Sequence, residues 1–267
     1  MKVFISADIE GVTGVTHWDE TNLEKSVSAA ACEQMTAEVV AACKAALDHD
    51  ADELLIKDAH DSGRNIIAAK LPHEARLIRG WEPHPFMMMQ GLDETFQAAA
   101  FIGYHSRAGM NTSPLAHTMS GSIIRITING RDASEALLNM YTASMLKVPV
   151  IFVSGDKGLC EEVTELNPNI VTVAVKEGVG DSTISIHPEL ATLRIREGMA
   201  KAMRGDLSKC LVTLPDHFSV DIQYKSHIKA RTYSFYPGAM LKDPITVHYE
   251  HADYYEVLRF LYFATAL

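Results

Sequence analysis

The sequence predicts an α/β protein with a mostly parallel sheet covered by helices. Short apolar runs typical of buried strands alternate with helical stretches as far as about residue 160. Turn signals rich in glycine, asparagine and aspartate separate these runs. The length of 267 residues suffices for one large α/β domain or two modest ones.

The first part of the chain supplies the predicted parallel sheet. Apolar runs predict strands over Lys2–Ala7, Asp52–Asp58, Ala75–Ile78, Gln97–Gly103, Ile123–Ile128 and Pro149–Ser154. The pair Asn129-Gly130 predicts a hairpin or tight turn after the fifth of these. Helices are predicted over Leu23–Asp48, from an N-cap at Ser134 to about Leu146, and after a cap at Asp156.

The pattern loosens after about residue 167. Strands are predicted over Val171–Lys176 and Ile245–Tyr249, and helices over Pro188–Arg204 and Asp253–Leu267. We expect a metal-binding catalytic α/β domain in residues 1–160 and a smaller C-terminal α/β portion in residues 161–267, packed on it. A single domain is the alternative, because no flexible linker separates the two parts.

Composition excludes several classes of function. Hydrophobic residues make up 47% and charged residues 22% of the chain, as in ordinary soluble globular proteins. A net charge of -10 argues against binding nucleic acid through a basic face. No signal peptide is visible, and no run approaches the about 18 apolar residues of a membrane span. The four cysteines show no close spacing, so we expect buried thiols and a cytoplasmic protein.

Two acids follow the first predicted strand. Asp8 stands at its end and Glu10 two positions later, and residues two apart on extended backbone point to the same side. Gly11 and Gly14 then allow a tight turn. Both carboxylates can therefore face one metal ion, and the alternative is a turn-capping Asp8 beside a solvated Glu10.

Further metal ligands follow other strands. In parallel sheets, sites form outside the carboxyl ends of the strands. The second predicted strand ends in Asp58 and His60, the fourth in His105, and Glu135 opens the later helix. These imidazoles and carboxylates suit zinc and allow a two-metal site, with Asp8 as the central bridging ligand.

The remaining histidines divide unevenly. His117 lies in the loop segment SPLAHTM, where it is either a proton shuttle or oxyanion partner, or a surface residue. The others have no convergent context, and we interpret them as structural or exposed: His17, His49, His73, His84, His187, His217, His227, His248 and His251.

Eight motifs agree in order and spacing with a known family over roughly the first 180 residues. They are SADIEGVTG at the start, KDAHDSGRN around His60, GLDETF at Gly91 to Phe96, FIGYHSRAG around His105, LAHTMSG around His117, ING followed by SEALLN around Glu135, PVIFVSGD, and AVKEGVG at Ala174 to Gly180. On these motifs the chain resembles the zinc-dependent D-aminopeptidases of the M55 peptidase family.

The resemblance implies a two-zinc hydrolase that removes an N-terminal, typically D-configured residue from short peptides. It implies that Asp8 bridges both ions, that the metal ligands are Asp8, Glu10, His60, His105 and Glu135, and that His117 is catalytic. It further implies a ring-shaped homodecamer with its active sites facing an internal channel, which favours peptides over folded proteins.

Two other functions remain as alternatives. DIEGVT at Asp8 to Thr13 nearly matches the nucleophile motif of magnesium-dependent phosphatases of the haloacid-dehalogenase type, and SGD at Ser154 to Asp156 resembles their later acidic motif. Against this reading, Glu10 replaces an aspartate, and His60 and His105 have no role. A non-catalytic metal-binding or small-molecule-binding module explains the ligands but leaves His117 without a role.

Overall fold

The computed structural model describes residues 1–265. Its strands are β1 Lys2–Ala7, β2 Glu53–Asp58, β3 Ala75–Ile78, β4 Ala98–Tyr104, β5 Ile123–Ile128, β6 Arg131–Asp132, β7 Val150–Asp156, β8 Val171–Val179, β9 Ser182–Ser185, β10 Phe218–Tyr224, β11 Met240–Asp243 and β12 Thr246–His251. Its α-helices are α1 Trp18–Thr21, α2 Ser28–Leu47, α3 Glu135–Met145, α4 Lys157–Leu166, α5 Pro188–Met203, α6 His227–Tyr233 and α7 Tyr254–Thr265. Within these residues no helix combines the length and the apolar character that a membrane span requires.

A seven-stranded sheet forms the centre of the protein, in the order β3-β2-β1-β4-β7-β8-β9. All neighbouring pairs from β3 to β8 run parallel, and only the β8–β9 pair is antiparallel. Every residue of β4 and β7 is buried, as expected for strands covered on both faces. The predicted α/β class with a mostly parallel sheet is confirmed. This topology brings the carboxyl ends of β1, β2, β4 and β7 to one edge.

A second, five-stranded antiparallel sheet has the order β11-β12-β10-β5-β6. The Asn129-Gly130 turn, with both residues at positive φ, joins β5 to β6 in the predicted hairpin. Strand β10 went unpredicted, although its alternating burial is the period-2 pattern of a strand covered on one face. Because β5 and β6 come from before residue 160 and the other strands from after it, this sheet draws on both predicted domains. The boundary at residue 160 stays a prediction.

The long helix predicted over Leu23–Asp48 is wrong at its beginning. Helix α2 begins at Ser28, and the separate one-turn helix α1 precedes it. Local hydrogen bonds explain the break: the side chain of Asn22 accepts from the amide of Glu24, and its carbonyl accepts from Lys25. The other predicted boundaries agree with the structure to within three residues, and those of β1, β3 and β5 agree without a shift. The predicted end of the last helix, residues 266–267, lies outside the described residues.

Two glycines allow the loop after β1 to lie against the end of β4. The amide of Gly11 donates to the carbonyl of Gly103 over 2.8 Å. A Cβ on Gly11 would meet the carbonyl oxygen of Tyr104 at 1.7 Å. Gly103 has a φ of +69, and a Cβ there would lie 2.3 Å from the carbonyl oxygen of Asp8. This close approach brings the acids after β1 to the residues that follow β4.

Replacing the buried helix cap Asp156 should destabilise the fold. As predicted, its carboxylate caps α4 by accepting from the amide of Leu159, and it also accepts from the amide and hydroxyl of Ser106. Because three donors lose a charged acceptor, we expect Asp156→Ala to lower the free energy of unfolding by about 3 kcal/mol. Chemical denaturation measures this, with the exposed cap variant Asp206→Ala as control. A loss for Asp156→Ala no larger than that of the control would contradict the assignment.

Candidate metal centre

Asp8 and Glu10 lie buried side by side at the carboxyl edge of the parallel sheet. They are 2% and 1% exposed. The amide of Asp8 continues the ladder to β4 by donating to the carbonyl of Ile102 over 2.8 Å. The carboxylate of Asp8 accepts from the amide of Ile9 over 2.9 Å, which fixes its orientation. The sequence-based view that both acids share one side is confirmed.

His60 stands opposite these acids on a tight turn after β2. Its Nδ1 lies 2.9 Å from Oε2 of Glu10 and 3.3 Å from Oδ1 of Asp8. Its Nε2 is bonded to the carbonyl of Thr21, the last residue of α1, at 2.9 Å. Asp58, the other acid at this strand end, lies outside the cluster of facing groups. Its oxygens accept from the backbone and side-chain amides of Asn65 and from the backbone amide of Ile66, so the Asp58 carboxylate stabilises the turn.

His105 and Glu135 complete the cluster from β4 and from the first turn of α3. Nε2 of His105 lies 3.5 Å from Oδ2 of Asp8 and 3.4 Å from Oε2 of Glu135. The other oxygen of Glu135 accepts from the amide of Met119 over 2.6 Å. The N-cap of α3 is Ser134, as predicted, and the cap places Glu135 at the beginning of the helix.

His117 lies next to the cluster and is less deeply buried than the other two histidines. Its ring stacks on that of His105, with a centroid distance of 4.3 Å and an interplanar angle of 10°. Its Nε2 faces Oε1 of Glu135 at 3.5 Å, and its Nδ1 is bonded to the carbonyl of Leu115 at 2.9 Å. The structure therefore brings together six of the residues that the sequence singled out, and Asp58 is the one that lies outside the cluster.

The three histidines share one arrangement. Each ring donates one N–H to a backbone carbonyl, from Thr21, Ser106 or Leu115. The second ring nitrogen of each, which carries a lone pair when the ring is neutral, faces carboxylate oxygens at distances of 2.9 to 3.5 Å. Facing lone pairs repel unless a cation or a proton lies between them. Backbone carbonyls in this position also fix the tautomer of metal-binding histidines.

Unpartnered buried atoms agree with a cation at this place. Among residues 1–265, Oε2 of Glu10 and Nε2 of His105 are buried without a hydrogen-bond partner. Two sets of possible ligand atoms each lie within 4.8 Å of one another, Asp8, Glu10 and His105 in one and His105, His117 and Glu135 in the other. Nitrogen and carboxylate donors of this kind are the usual ligands of zinc, so the residues fit a zinc centre.

The charged groups of the cluster shift one another's pKa values. Burial opposes protonation of His105, but the carboxylates of Glu135 and Asp8 outweigh burial and raise its pKa to about 10. Burial also lowers the pKa of His60, but the carboxylates of Glu10 and Asp8 outweigh burial and raise this pKa well above its usual value. Burial and the charge of Glu10 raise the pKa of Asp8. Burial also raises the pKa values of Glu10 and Glu135, but the adjacent histidines outweigh burial and lower both of them. Without metal, protons hold the cluster together.

A cavity of about 760 Å³ opens onto the cluster and is large enough for a short peptide. Both tryptophans of the chain line it. The ring of Trp18 on α1 meets that of His117 edge to face at 5.2 Å, and Trp81 lies near the turn that carries His60, donating to the carbonyl of Asp61. The sequence analysis did not predict that the two tryptophans line the cavity, nor which backbone carbonyls orient the histidines. The tryptophans themselves are the local signal for the cavity lining. Contacts with backbone carbonyls leave no signal in the sequence.

The geometry argues against the phosphatase alternative. In that reading Asp156 serves as the later acidic motif, but its carboxylate is occupied by the hydrogen bonds to Ser106 and Leu159. His60 and His105, which have no role in a phosphatase of this type, face the central acids instead.

Comparison with known proteins agrees with this site. The family model described as D-aminopeptidase, peptidase family M55, matches residues 1–263. A D-aminopeptidase of Bacillus subtilis (strain 168) is 31% identical over 269 residues, covering 100% of this chain and 97% of the relative. A solved structure described as the Zn-dependent D-aminopeptidase DppA from Bacillus subtilis, a self-compartmentalizing protease, superposes with a TM-score of 0.93 at 31% identity, covering 100% of this chain and 97% of that one. The chain described here belongs to the M55 peptidase family of D-aminopeptidases.

Proposed function

We propose that this D-aminopeptidase holds two zinc ions per subunit through Asp8, Glu10, His60, His105 and Glu135, and removes an N-terminal D-residue from short peptides. The observation that carries the proposal is the cluster of imidazole nitrogens facing carboxylate oxygens at 2.9 to 3.5 Å. The solved relative that superposes on the whole chain is described as Zn-dependent, which supports the choice of metal.

The two oxygens of Asp8 support its role as bridging ligand. Oδ1 faces His60 and Oδ2 faces His105, so each oxygen is directed to a different histidine. Glu10 joins His60 on one side of this carboxylate, and Glu135 joins His105 on the other. Because Oε1 of Glu135 accepts from a backbone amide, its Oε2 is the oxygen assigned to metal.

Zinc, when bound, supplies a Lewis acid that lowers the pKa of water and neutralises charge on the attacked carbonyl oxygen. His117 is the residue we assign to the reacting atoms, because it lines the cavity and its Nδ1 is fixed by the carbonyl of Leu115. Its Nε2 is thereby directed to the cluster, where it holds or moves a proton, stabilises the oxyanion or attacks as a nucleophile. Acids lining the cavity, such as Glu24, provide charge complementary to the peptide's amino terminus.

We further propose that the chain assembles into a homodecameric ring in the cytoplasm. The solved relative is described as a self-compartmentalizing protease, and assembly is the ordinary way in which a small chain encloses a channel. All four cysteines are free and buried, which fits a reducing compartment. Light scattering of the purified protein should give a mass ten times that of the 29.4 kDa chain. A monomeric or dimeric mass would contradict this proposal.

The proposed function is tested by metal analysis coupled to a peptidase assay. We expect two zinc ions per chain and hydrolysis of dipeptides with a D-configured N-terminal residue at least about 100-fold faster than of their L-epimers, because inverting the α-carbon would displace the scissile amide from His117. Phosphatase substrates serve as the control. Stoichiometric metal without peptidase turnover would favour the non-catalytic module, and turnover of phosphate esters would favour the phosphatase.

Zinc binding should release protons. With its pKa at about 10, His105 is protonated in the metal-free protein at pH 7, and zinc must displace that proton to reach the nitrogen. Calorimetry in buffers of different ionisation enthalpy should therefore show release of at least one proton at pH 7, falling as the pH rises through 10. The same pKa affects the stability of the metal-free protein. Because folding raises the pKa of His105, the stabilisation from its protonated ring is complete below pH 6.5 and is lost as the pH rises through about 10. Zinc uptake without proton release would contradict the assignment.

A further inference from the structure

A buried lysine from the AVKEGVG motif contacts the loop that carries the first two acids. Lys176 lies on β8 and is 4% exposed. Its Nζ donates to the carbonyl oxygens of Glu10 and Val15, the latter at 2.5 Å. β8 lies three places from β1 in the sheet, so this contact joins distant parts of the chain. A single ammonium thus bridges two points of the loop after β1.

Filling space does not explain this charge. Transferring an ammonium into the interior costs several kcal/mol, and burial lowers the pKa of Lys176 to about 8. Both of its hydrogen-bond acceptors named above are neutral carbonyls, and the carboxylates of Asp156, Glu38 and Glu10 act on it from a greater distance. An uncharged side chain of similar length would fill the same volume at lower cost. The feature that distinguishes the ammonium from such a side chain is its contact with the two carbonyls.

Other hydrogen bonds of the loop act together with the contacts of Lys176. The amide of Gly11 is bonded to the carbonyl of Gly103, and the amide of Thr13 to the carboxylate of Glu38 at 3.0 Å. Because the amide of Gly11 and the carbonyl of Glu10 belong to one planar peptide group, Gly103 holds one side of this group and Lys176 holds the other. Rotation of that peptide group would turn the Glu10 side chain away from Nδ1 of His60, which it faces at 2.9 Å.

We propose that Lys176 is a positioning residue of the metal centre, whose ammonium holds the carbonyls of Glu10 and Val15 and thereby aims the Glu10 carboxylate at the zinc ion next to His60. This inference rests on the proposed zinc site. The charge behind the loop also reduces the repulsion among the buried carboxylates before metal binds. Groups that orient metal ligands in this way typically change metal affinity by about 10- to 100-fold.

The test compares Lys176→Met and Lys176→Arg with the wild-type protein. Zinc affinity is measured by competition with a chelator, and thermal unfolding is measured on the metal-free proteins. Tyr224→Phe is the matched control, because it also removes a buried hydrogen bond to a carbonyl, that of Ala264 at 2.9 Å, but in the antiparallel sheet. We expect K176M to bind its weaker zinc ion about 10- to 100-fold less tightly, K176R to recover part of the loss, and Y224F to match wild type.

The outcomes separate this inference from the proposed function. A wild-type protein that binds no zinc would overturn the proposed function and this inference with it. Wild-type zinc affinity in K176M, together with a lowered unfolding temperature like that of Y224F, would show a purely structural lysine and overturn this inference alone. Should K176M not fold, K176Q decides instead: its side chain is uncharged and one bond shorter, so it cannot hold both carbonyls as the ammonium does, and wild-type zinc affinity in that variant would likewise overturn the proposal.

Discussion

Asp8→Ala should lose most of the bound zinc and lower kcat/KM by more than about a thousandfold. The reason is geometric: Asp8 turns one oxygen to His60 at 3.3 Å and the other to His105 at 3.5 Å, and each of these histidines belongs to a different one of the two proposed zinc sites. A metal ion supplies several kcal/mol of charge stabilisation in the transition state, and each 1.36 kcal/mol corresponds to a factor of ten in rate. Atomic emission analysis of the dialysed variant, together with a dipeptide assay, measures both effects.

Two further variants make the Asp8 prediction specific. Asp8→Asn keeps the size of the side chain and removes its charge, so it should resemble Asp8→Ala if charge and bridging matter. Asp156→Ala removes another buried acid at the same sheet edge whose oxygens are bonded to Ser106 and Leu159, so it should keep its metal. If the Asp8 variants retain two ions, the bridging role is wrong.

His117→Ala should keep the fold and both zinc ions while kcat falls by about 10²- to 10⁴-fold, the range typical of losing a positioned acid–base group. The ring lines the cavity, stacks on His105 and directs Nε2 to the cluster. Circular dichroism and metal analysis show whether fold and ions are retained, and steady-state kinetics measures the fall in kcat.

The same variant distinguishes two roles for this histidine. His117 belongs to one of the two sets of atoms that lie close enough to share an ion, together with His105 and Glu135. Loss of one zinc ion in the variant would therefore make His117 a metal ligand rather than a group acting on the substrate. Retained metal with unchanged turnover would remove its catalytic role altogether.

Local patterns were enough to predict the parallel sheet and the strand ends at which the candidate metal ligands lie together. Apolar runs marked β1, β2, β4 and β7, and parallel sheets gather the residues after such strands at one edge. His60 and His105, 45 positions apart in the sequence, therefore became neighbours of Asp8 without any knowledge of tertiary contacts. The assignment of His117 needed the family resemblance, because a histidine in a loop has no strand end to place it.

Local sequence patterns did not predict the long-range contacts. Strand β10 pairs with β5 across about 90 residues, and nothing in either segment specifies that partner. The contact of Lys176 with Glu10 spans a separation of 166 residues and depends on β8 joining the sheet three strands from β1. The helix predicted from Leu23 also began five residues too early, because one asparagine turn overrode a region of good helix propensity.

The central claim is that a pair of zinc ions shares Asp8, and anomalous diffraction at the zinc edge from crystals of the wild-type protein tests it most directly. We expect two peaks about 3.5–4 Å apart, one next to Glu10 and His60 and the other next to His105 and Glu135, with an oxygen of Asp8 on each. A single peak, or two peaks that Asp8 does not touch, would contradict the account.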